Sequence, residues 1–344
     1  MYKIDIARMH LVKSLKNAEK LVQLDKEDAQ KILFNQTDNG RFFALPYEAL
    51  EKIDFSNVSF SNVRLSRIDF SKLHNVSINP QVVYDKDLSN CTFYGVKFTG
   101  SFDGVDIRYS NFTGTFAYLD IQKLKHKSIE HCVLNGASIT NDFNEVNIRG
   151  TDFTGVYNVR LNPQIIKNKD LTSTKLYGVF INGSFDECTI AETDFTGSIN
   201  ALINVQKIYN KNLYKTILRN AIVVGSFDDV LIRGTDFTDV YSEVIINPTK
   251  LKYKSLEDTK LSGVSFEGDF SDVVIEKTDF TNSNGAVINP QEVYGKKMRN
   301  SIFNDVTFSG SFDDIDLTGS VFGNALGINI PKKRKKLSFF KRVS

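Results

Sequence analysis

The sequence predicts a repeat solenoid, in which one short unit is stacked on copies of itself, and three observations predict it. Phenylalanines ten residues apart recur as Phe60/Phe70, Phe102/Phe112, Phe143/Phe153, Phe185/Phe195, Phe227/Phe237, Phe270/Phe280 and Phe312/Phe322. Successive pairs follow at steps of 41–43 residues, and self-similarity at a fixed period of this length marks a repeat architecture. Within each unit a finer period of about five carries the large apolar residues: Ile78, Val83, Leu88, Phe93, Phe98, Phe102, Ile107 and Phe112 in one copy, Leu161, Ile166, Leu171, Leu176, Ile181, Phe185, Ile190 and Phe195 in another. An α-helix needs a period of about 3.6, so this body is not all-α.

Two positions before these centres the residues are small, as in Cys91, Val96, Gly100, Val105 and Ser110, or Thr216, Ala221, Gly225, Val230 and Thr235. The quintets Ser110-Asn111-Phe112-Thr113-Gly114, Thr151-Asp152-Phe153-Thr154-Gly155 and Thr193-Asp194-Phe195-Thr196-Gly197 resemble the pentapeptide repeat family, whose pattern is a small residue, Asp or Asn, Leu or Phe, Ser or Thr, then a variable residue often Gly. The resemblance covers residues 45–330. It implies an all-β solenoid, a right-handed quadrilateral β-helix with four quintets per coil, the large centre and the small preceding residue both pointing inward. Eight centres per unit are then two coils. The whole segment would make about 13–14 coils, a rod of about 65 Å at a strand spacing of about 4.8 Å. A longer step after each second Phe predicts a small loop at one corner on every second coil. All six prolines fall in that corner column or at the ends of the coil (Pro46, Pro80, Pro163, Pro248, Pro290, Pro331), where no ladder hydrogen bond is lost.

Residues 1–44 read differently. Ile6, Met9, Val12, Leu15, Ala18 and Val22 lie near helical spacing, and Asp25 followed by Asp28 predicts the capped start of a second short helix through Leu33. Asn39-Gly40 is a turn signal. A small α-helical N-terminal cap over the open end of the coil is the expectation, because an exposed ladder edge invites aggregation; a partner-binding helical hairpin is the other reading. Residues 331–344 form a basic C-terminal tail.

The chain has 344 residues, 27 of them Phe and none Trp, as expected of one core slot filled repeatedly. Its three cysteines, Cys91, Cys132 and Cys188, are widely spaced and odd in number, which points to free thiols and a reducing, cytoplasmic setting. The N-terminus lacks the apolar core of a signal peptide. No P-loop, nucleophile elbow or dinucleotide fingerprint occurs, and the glycines follow the repeat instead. His126, His131 and Cys132 lie close in sequence, but Cys132 occupies an inward small-residue slot and four-ligand spacing is lacking, so core packing and no metal is the expectation. The Asp/Thr pairs of the quintets read as turn formers. The chain is therefore expected to have no catalytic residues and no cofactor.

Charge is unevenly placed. The net charge is +2, yet residues 332–344 carry seven basic and no acidic residues, leaving a mildly acidic body. After the first Phe of each pair runs a mostly acidic column, with Asp103, Asp186, Asp228 and Asp313 as the candidate interaction face. Before every third centre stands a lysine: Lys86, Lys127, Lys169, Lys211, Lys254 and Lys296. That slot is usually inward, and stacked ammonium groups in a dry core are prohibitive. Either the strand rotates near its corner or the lysines reach acidic partners such as Asp87 and Asp170; an exposed basic stripe is expected. The tail residues Lys332, Lys333, Arg334, Lys335 and Lys336 are the candidate contact for nucleic acid or an anionic membrane. Capping of the last coil through Leu337, Phe339 and Phe340 and homodimerisation through the C-terminus are the competing readings.

These observations point to a non-enzymatic scaffold that binds a macromolecular partner, a protein, through flat faces. The resemblance adds an alternative, mimicry of DNA toward gyrase or topoisomerase IV. B-DNA of the rod's length would carry about 38 charges, far more than the net charge of the body, so the mimic would be sparse.

Overall fold

The computed structural model describes residues 2–37 and 40–328, which fall into two compact units, Met1–Val159 and Arg160–Ser344. The first begins with helix α1 (Tyr2–Lys16) and helix α2 (Lys26–Ile32). Asp25 caps α2 as predicted, its carboxylate accepting from the Glu27 amide. Arg8 of α1 closes the other end of α2: its Nε donates to the Ile32 carbonyl at 2.9 Å and its guanidinium also reaches the Phe34 carbonyl and Asn35 Oδ1. A cation on the last free carbonyls is the favourable arrangement at a helix C-terminus.

The helical spacing that ran to Val22 overstates α1. Four short strands occur here: β1 (Val22–Gln23), β2 (Phe34–Thr37), β3 (Gly40–Phe43) and β4 (Ile53–Asp54). β1 pairs in parallel with β4, and β2 with β3 forms an antiparallel hairpin across the Asn39-Gly40 signal. Arg41 of β3 bridges in parallel to Val63. The front segment thus supplies partners to the first coil edge, and pairing there outweighs the weak helical preference of a β-branched residue such as Val22.

The remainder of each unit is a β-solenoid. Parallel pairs twenty residues apart define one strand face: Ser77–Ile78 on Lys97–Phe98 and Tyr118–Asp120 on Ser138–Thr140 in the first unit; Arg160–Leu161 on Phe180–Ile181, Leu202–Asn204 on Ile222–Val224, Val244–Ile246 on Val264–Phe266 and Val287–Ile288 on Thr307–Phe308 in the second. Elsewhere the ladder is reduced to single parallel bridges, such as Asp87↔Asp106 and Lys260↔Asp279. The reason lies at the corners. The second residue after most centres is left-handed, as in Asn62, Asn90, Tyr109 and Glu187, and each such residue turns the chain at a corner. This is why the fifth quintet position is so often Gly or Asn, which reach positive φ at little cost.

Every inward centre from Phe55 to Phe322 that the five-residue spacing picks out in the Phe columns is buried or nearly so. On the face that closes each coil the rings follow one another up the core: Phe70 stacks on Phe93 at 5.8 Å, Phe280 on Phe303 at 5.6 Å and Phe303 on Phe322 at 5.1 Å, while Phe93 meets Phe112 tilted at 5.0 Å. The small slot before these centres is lined by hydroxyls and thiols that donate to a carbonyl of the coil below. Ser110 Oγ reaches Leu88 O at 2.8 Å, Thr193 Oγ1 reaches Leu171 O at 2.7 Å, and Cys132 Sγ reaches Ile107 O at 3.0 Å. A small polar group fits because it satisfies a backbone acceptor in a dry core.

Candidate interaction surface

The acidic column lies on the face after the strand face. Asp103 is 3.7 Å from Lys123, Asp186 is 3.3 Å from Lys207, and Asp228 is 3.6 Å from Lys250, while Asp313 accepts from Ser311 Oγ at 2.7 Å. Three of the four candidate aspartates are therefore each opposed by a lysine of the next coil. Exposed pairs of this kind contribute little stability, yet they cancel the local field that an acidic face would project.

The lysine column is turned outward, and its mechanism is backbone geometry. Lys86, Lys127, Lys169, Lys211, Lys254 and Lys296 all have positive φ, and each follows a residue that is itself left-handed. Two successive left-handed residues reverse the direction the slot would face on neighbouring coils, where Val105, Val146, Cys188, Val230, Val273 and Ile315 occupy it. The proposed partners Asp87 and Asp170 are not the ones used. Lys169 meets Glu187 at 3.2 Å, Lys211 meets Asp229 at 3.9 Å and Lys254 meets Asp272 at 3.7 Å, each eighteen residues on. Lys86 and Lys296 donate to Gln81 Oε1 and Gln291 Oε1. The expected exposed stripe is only half-exposed: Lys127 and Lys296 stand exposed, Lys86, Lys169, Lys211 and Lys254 are half-buried, and the column alternates with acids coil by coil.

The strand face of the second unit is different in kind. Directly before its inward centres stand Arg160, Phe180, Leu202, Ile222, Ile245, Ser265, Val287 and Thr307. Strand alternation points them outward. Leu202, Ile222, Ile245 and Val287 are 41–51% exposed, and Ile199, Val224 and Tyr241 stand exposed beside them. A groove of about 550 Å³ opens along this ridge between Val224–Asp228 and Ser242–Ile245. In the first unit the same face carries Tyr118, with Phe116 and Tyr157 highly exposed at its corner loops.

The three thiols are core groups. Cys91, Cys132 and Cys188 are buried and unpaired, and burial pushes each thiol up to about 12. His131 stacks on Tyr109 at 4.9 Å. Among the described residues no group of three or more His, Cys, Asp or Glu could hold a metal ion, and no helix is long and apolar enough to cross a membrane. The tail candidates Lys332, Lys333, Arg334, Lys335 and Lys336 lie outside the described residues.

One quintet shows the role of all five positions. Thr193 bonds down to Leu171 O, Asp194 Oδ1 accepts from the Thr196 amide at 2.9 Å, Phe195 is wholly buried, Thr196 begins the turn and Gly197 is left-handed. The Asp/Thr pairs are thus Asx turns, repeated at Asp152, Asp236 and Asp279. The quintets therefore follow the pentapeptide-repeat pattern on a β-solenoid. No family model and no curated protein matches the chain. Among solved structures it is similar to HetL, a pentapeptide repeat protein involved in heterocyst differentiation regulation from the cyanobacterium Nostoc, at 14% identity over 73% of this chain and 86% of that one, with a TM-score of 0.20. It is also similar to two trypsin-treated forms of QnrB1, a plasmid-mediated fluoroquinolone resistance protein. Identity is 12% in both, over 77% and 78% of this chain and 89% and 86% of theirs, with TM-scores of 0.17 and 0.12. The resemblance is carried by the quintets themselves.

Two features of this solenoid escaped sequence reasoning. The first is the apolar ridge. The second is a glutamine clamp: Gln81, Gln122, Gln164, Gln206 and Gln291 each donate from Nε2 to two carbonyls of the next coil, as Gln164 does to Ser184 at 2.9 Å and Asp186 at 2.8 Å. The recurrence of Gln three residues after the strand-face centre was the available signal. At the remaining position of the second unit Thr249 replaces it and bonds Asn247 instead.

Proposed function

We propose that the protein is a non-enzymatic interaction scaffold that binds a macromolecular partner through a flat face of its solenoid. The observation that carries this reading is the ridge of Leu202, Ile222, Ile245 and Val287. A soluble solenoid gains nothing from exposing aliphatic residues in one row across several coils, and a contiguous exposed apolar row is a candidate interaction site. Lysine, threonine or serine would serve the same strand positions without that liability. The unpaired buried thiols favour a reducing, cytoplasmic setting.

The alternative, mimicry of DNA toward a type II topoisomerase, draws its support from the acidic column, and the lysines opposite Asp103, Asp186 and Asp228 count against it. Quantitative affinity capture from the source cells separates the two. The Leu202→Lys/Ile222→Lys variant is expected to lose its partner at least about tenfold, since a lysine in an apolar contact leaves a buried unpaired charge. The Asp186→Asn/Asp228→Asn variant is expected to retain it. Inhibition of gyrase supercoiling that survives the first variant and is lost in the second would overturn the scaffold reading of the ridge.

A further inference from the structure

We infer that the N-terminal cap carries a second docking site, independent of the ridge, and that its occupant is an acidic amphipathic helix of a partner protein. An apolar groove runs between helix α1 and the chain that enters the coil. Met9, Val12 and Leu15 of α1 line it from one side, and Leu45 and Pro46, with Ala49 of a short third helix α3 (Tyr47–Leu50), line it from the other. Two adjoining cavities of about 440 and 420 Å³ make up the groove and share Val12, Lys16 and Pro46.

Capping alone does not explain this groove. Helix α1 is already held in place, because Leu15 is buried and the Arg8 guanidinium is committed to the carbonyls at the end of α2. Met9 adds nothing to that hold. It stands 73% exposed at the rim, and methionine is the side chain that repacks most readily around an incoming apolar group.

Charge selects the occupant. Lys13, Lys16 and Lys52 rim the groove, all exposed, against the single carboxylate of Glu48. None of the three lysines forms an ion pair among the described residues. Lysines in the last turn of α1 suit its dipole, but Lys52 across the groove has no such reason to be there. A partner with flanking Asp or Glu is favoured. A basic one is repelled, and that includes the chain's own residues 332–344, with seven basic and no acidic side chains. The backbone selects the occupant's shape. Ala44 N already donates to Leu33 O, and Pro46 has no N–H while its carbonyl accepts from Ala49 and Leu50. No continuous run of free groups is left for a strand to pair with, so recognition runs through side chains, as an amphipathic helix presents them at i, i+4 and i+7. Residues 8–16 of α1 span about 12 Å, enough to meet two turns of such a helix.

The test selects helical peptides of about 14 residues, about four turns, from a display library on the full-length protein, and measures the enriched sequences by fluorescence anisotropy. Enrichment is expected for apolar residues at i and i+4 flanked by Asp or Glu, with micromolar affinity. Met9→Lys and Lys13→Glu/Lys52→Glu, all at exposed positions, are each expected to weaken binding at least about tenfold with the unfolding midpoint unchanged. An enriched peptide whose flanking acids are changed to Lys is expected to bind the Lys13→Glu/Lys52→Glu variant and not the wild type. The Leu202→Lys/Ile222→Lys variant is expected to bind the original peptides as the wild type does. The inference is overturned by no enrichment, by enrichment of basic or non-amphipathic sequences, or by peptides that both cap variants still bind. If the peptides are lost in the ridge variant and kept by the cap variants, this inference falls and the ridge reading stands. If they are lost only in the cap variants while the ridge variant still captures its partner from cells, the ridge reading falls and this one stands.

Discussion

Phe280→Ala is expected to destabilise the protein by about 3–5 kcal/mol, the range for removing a large buried ring. Phe280 is wholly buried and lies 5.6 Å from Phe303, 5.9 Å from Phe266 and 6.1 Å from Phe270. The neighbouring rings are held by their own coils, so the cavity cannot collapse without breaking the ladder on either side. Stability in a solenoid is close to a sum of unit and nearest-neighbour terms, so the loss falls on the coils around position 280. Urea unfolding followed by circular dichroism should show a lowered midpoint and a broadened or split transition. The exposed Tyr241→Ala serves as the control, with a change within about 0.5 kcal/mol. Equal effects at the two positions would mean that the inward ladder is not where the stability resides.

The buried thiols make a second large effect visible at alkaline pH. Burial raises the thiols of Cys91 and Cys132 from 9.0 to about 12. A group whose folded pKa is raised contributes its stability fully below the unfolded value and loses it as pH climbs toward the folded value. The window is therefore pH 9 to 12. At a pH of about 10.5 the unfolded chain has ionised these thiols and the folded chain has not, which costs about 2 kcal/mol per thiol and about 4 kcal/mol for the two. Lysines and tyrosines titrate in the same range, so the comparison that isolates the thiols is with Cys91→Ser/Cys132→Ser. Serine is native to the equivalent slot at Ser110, Ser301 and Ser320, where its hydroxyl donates to Leu88, Ile275 and Met298 carbonyls. The variant should match the wild type near neutrality and exceed it by about 4 kcal/mol at the alkaline pH. Parallel loss in both proteins would show that the thiols are not held neutral by the core.

The division between what was legible in the sequence and what was not follows from range. The inward columns were legible because each depends on a local choice repeated every five residues: Phe195 must be large, Thr193 small, Gly197 free to turn left-handed. The outward turn of Lys169 followed only from the cost of burying its charge, and the backbone that achieves it was not legible. Its slot has the same spacing as the inward Cys188, and only the pair of left-handed residues at Asn168 and Lys169 separates the two cases. The helical spacing up to Val22 misled because it ignored a partner thirty-one residues away, Ile53, whose strand offered an open edge. The acidic column was legible in the sequence as a row of residues but not as a surface. Asp186 and Lys207 are far apart in sequence and 3.3 Å apart across the coils. The ridge was hidden for a related reason. Leu202, Ile222 and Ile245 look like ordinary apolar residues beside inward centres, and only the ladder shows that they face out on the same side.

Site-specific photo-cross-linking tests the central claim most directly. A photoreactive residue is placed in turn at Ile222 on the ridge, at Asp186 in the acidic column and at Lys335 in the basic tail, and the cross-linked products are identified by mass spectrometry. The account predicts products from position 222 and little from positions 186 and 335. Products confined to 186 or to 335 would contradict it and move the interaction to the acidic face or to the tail.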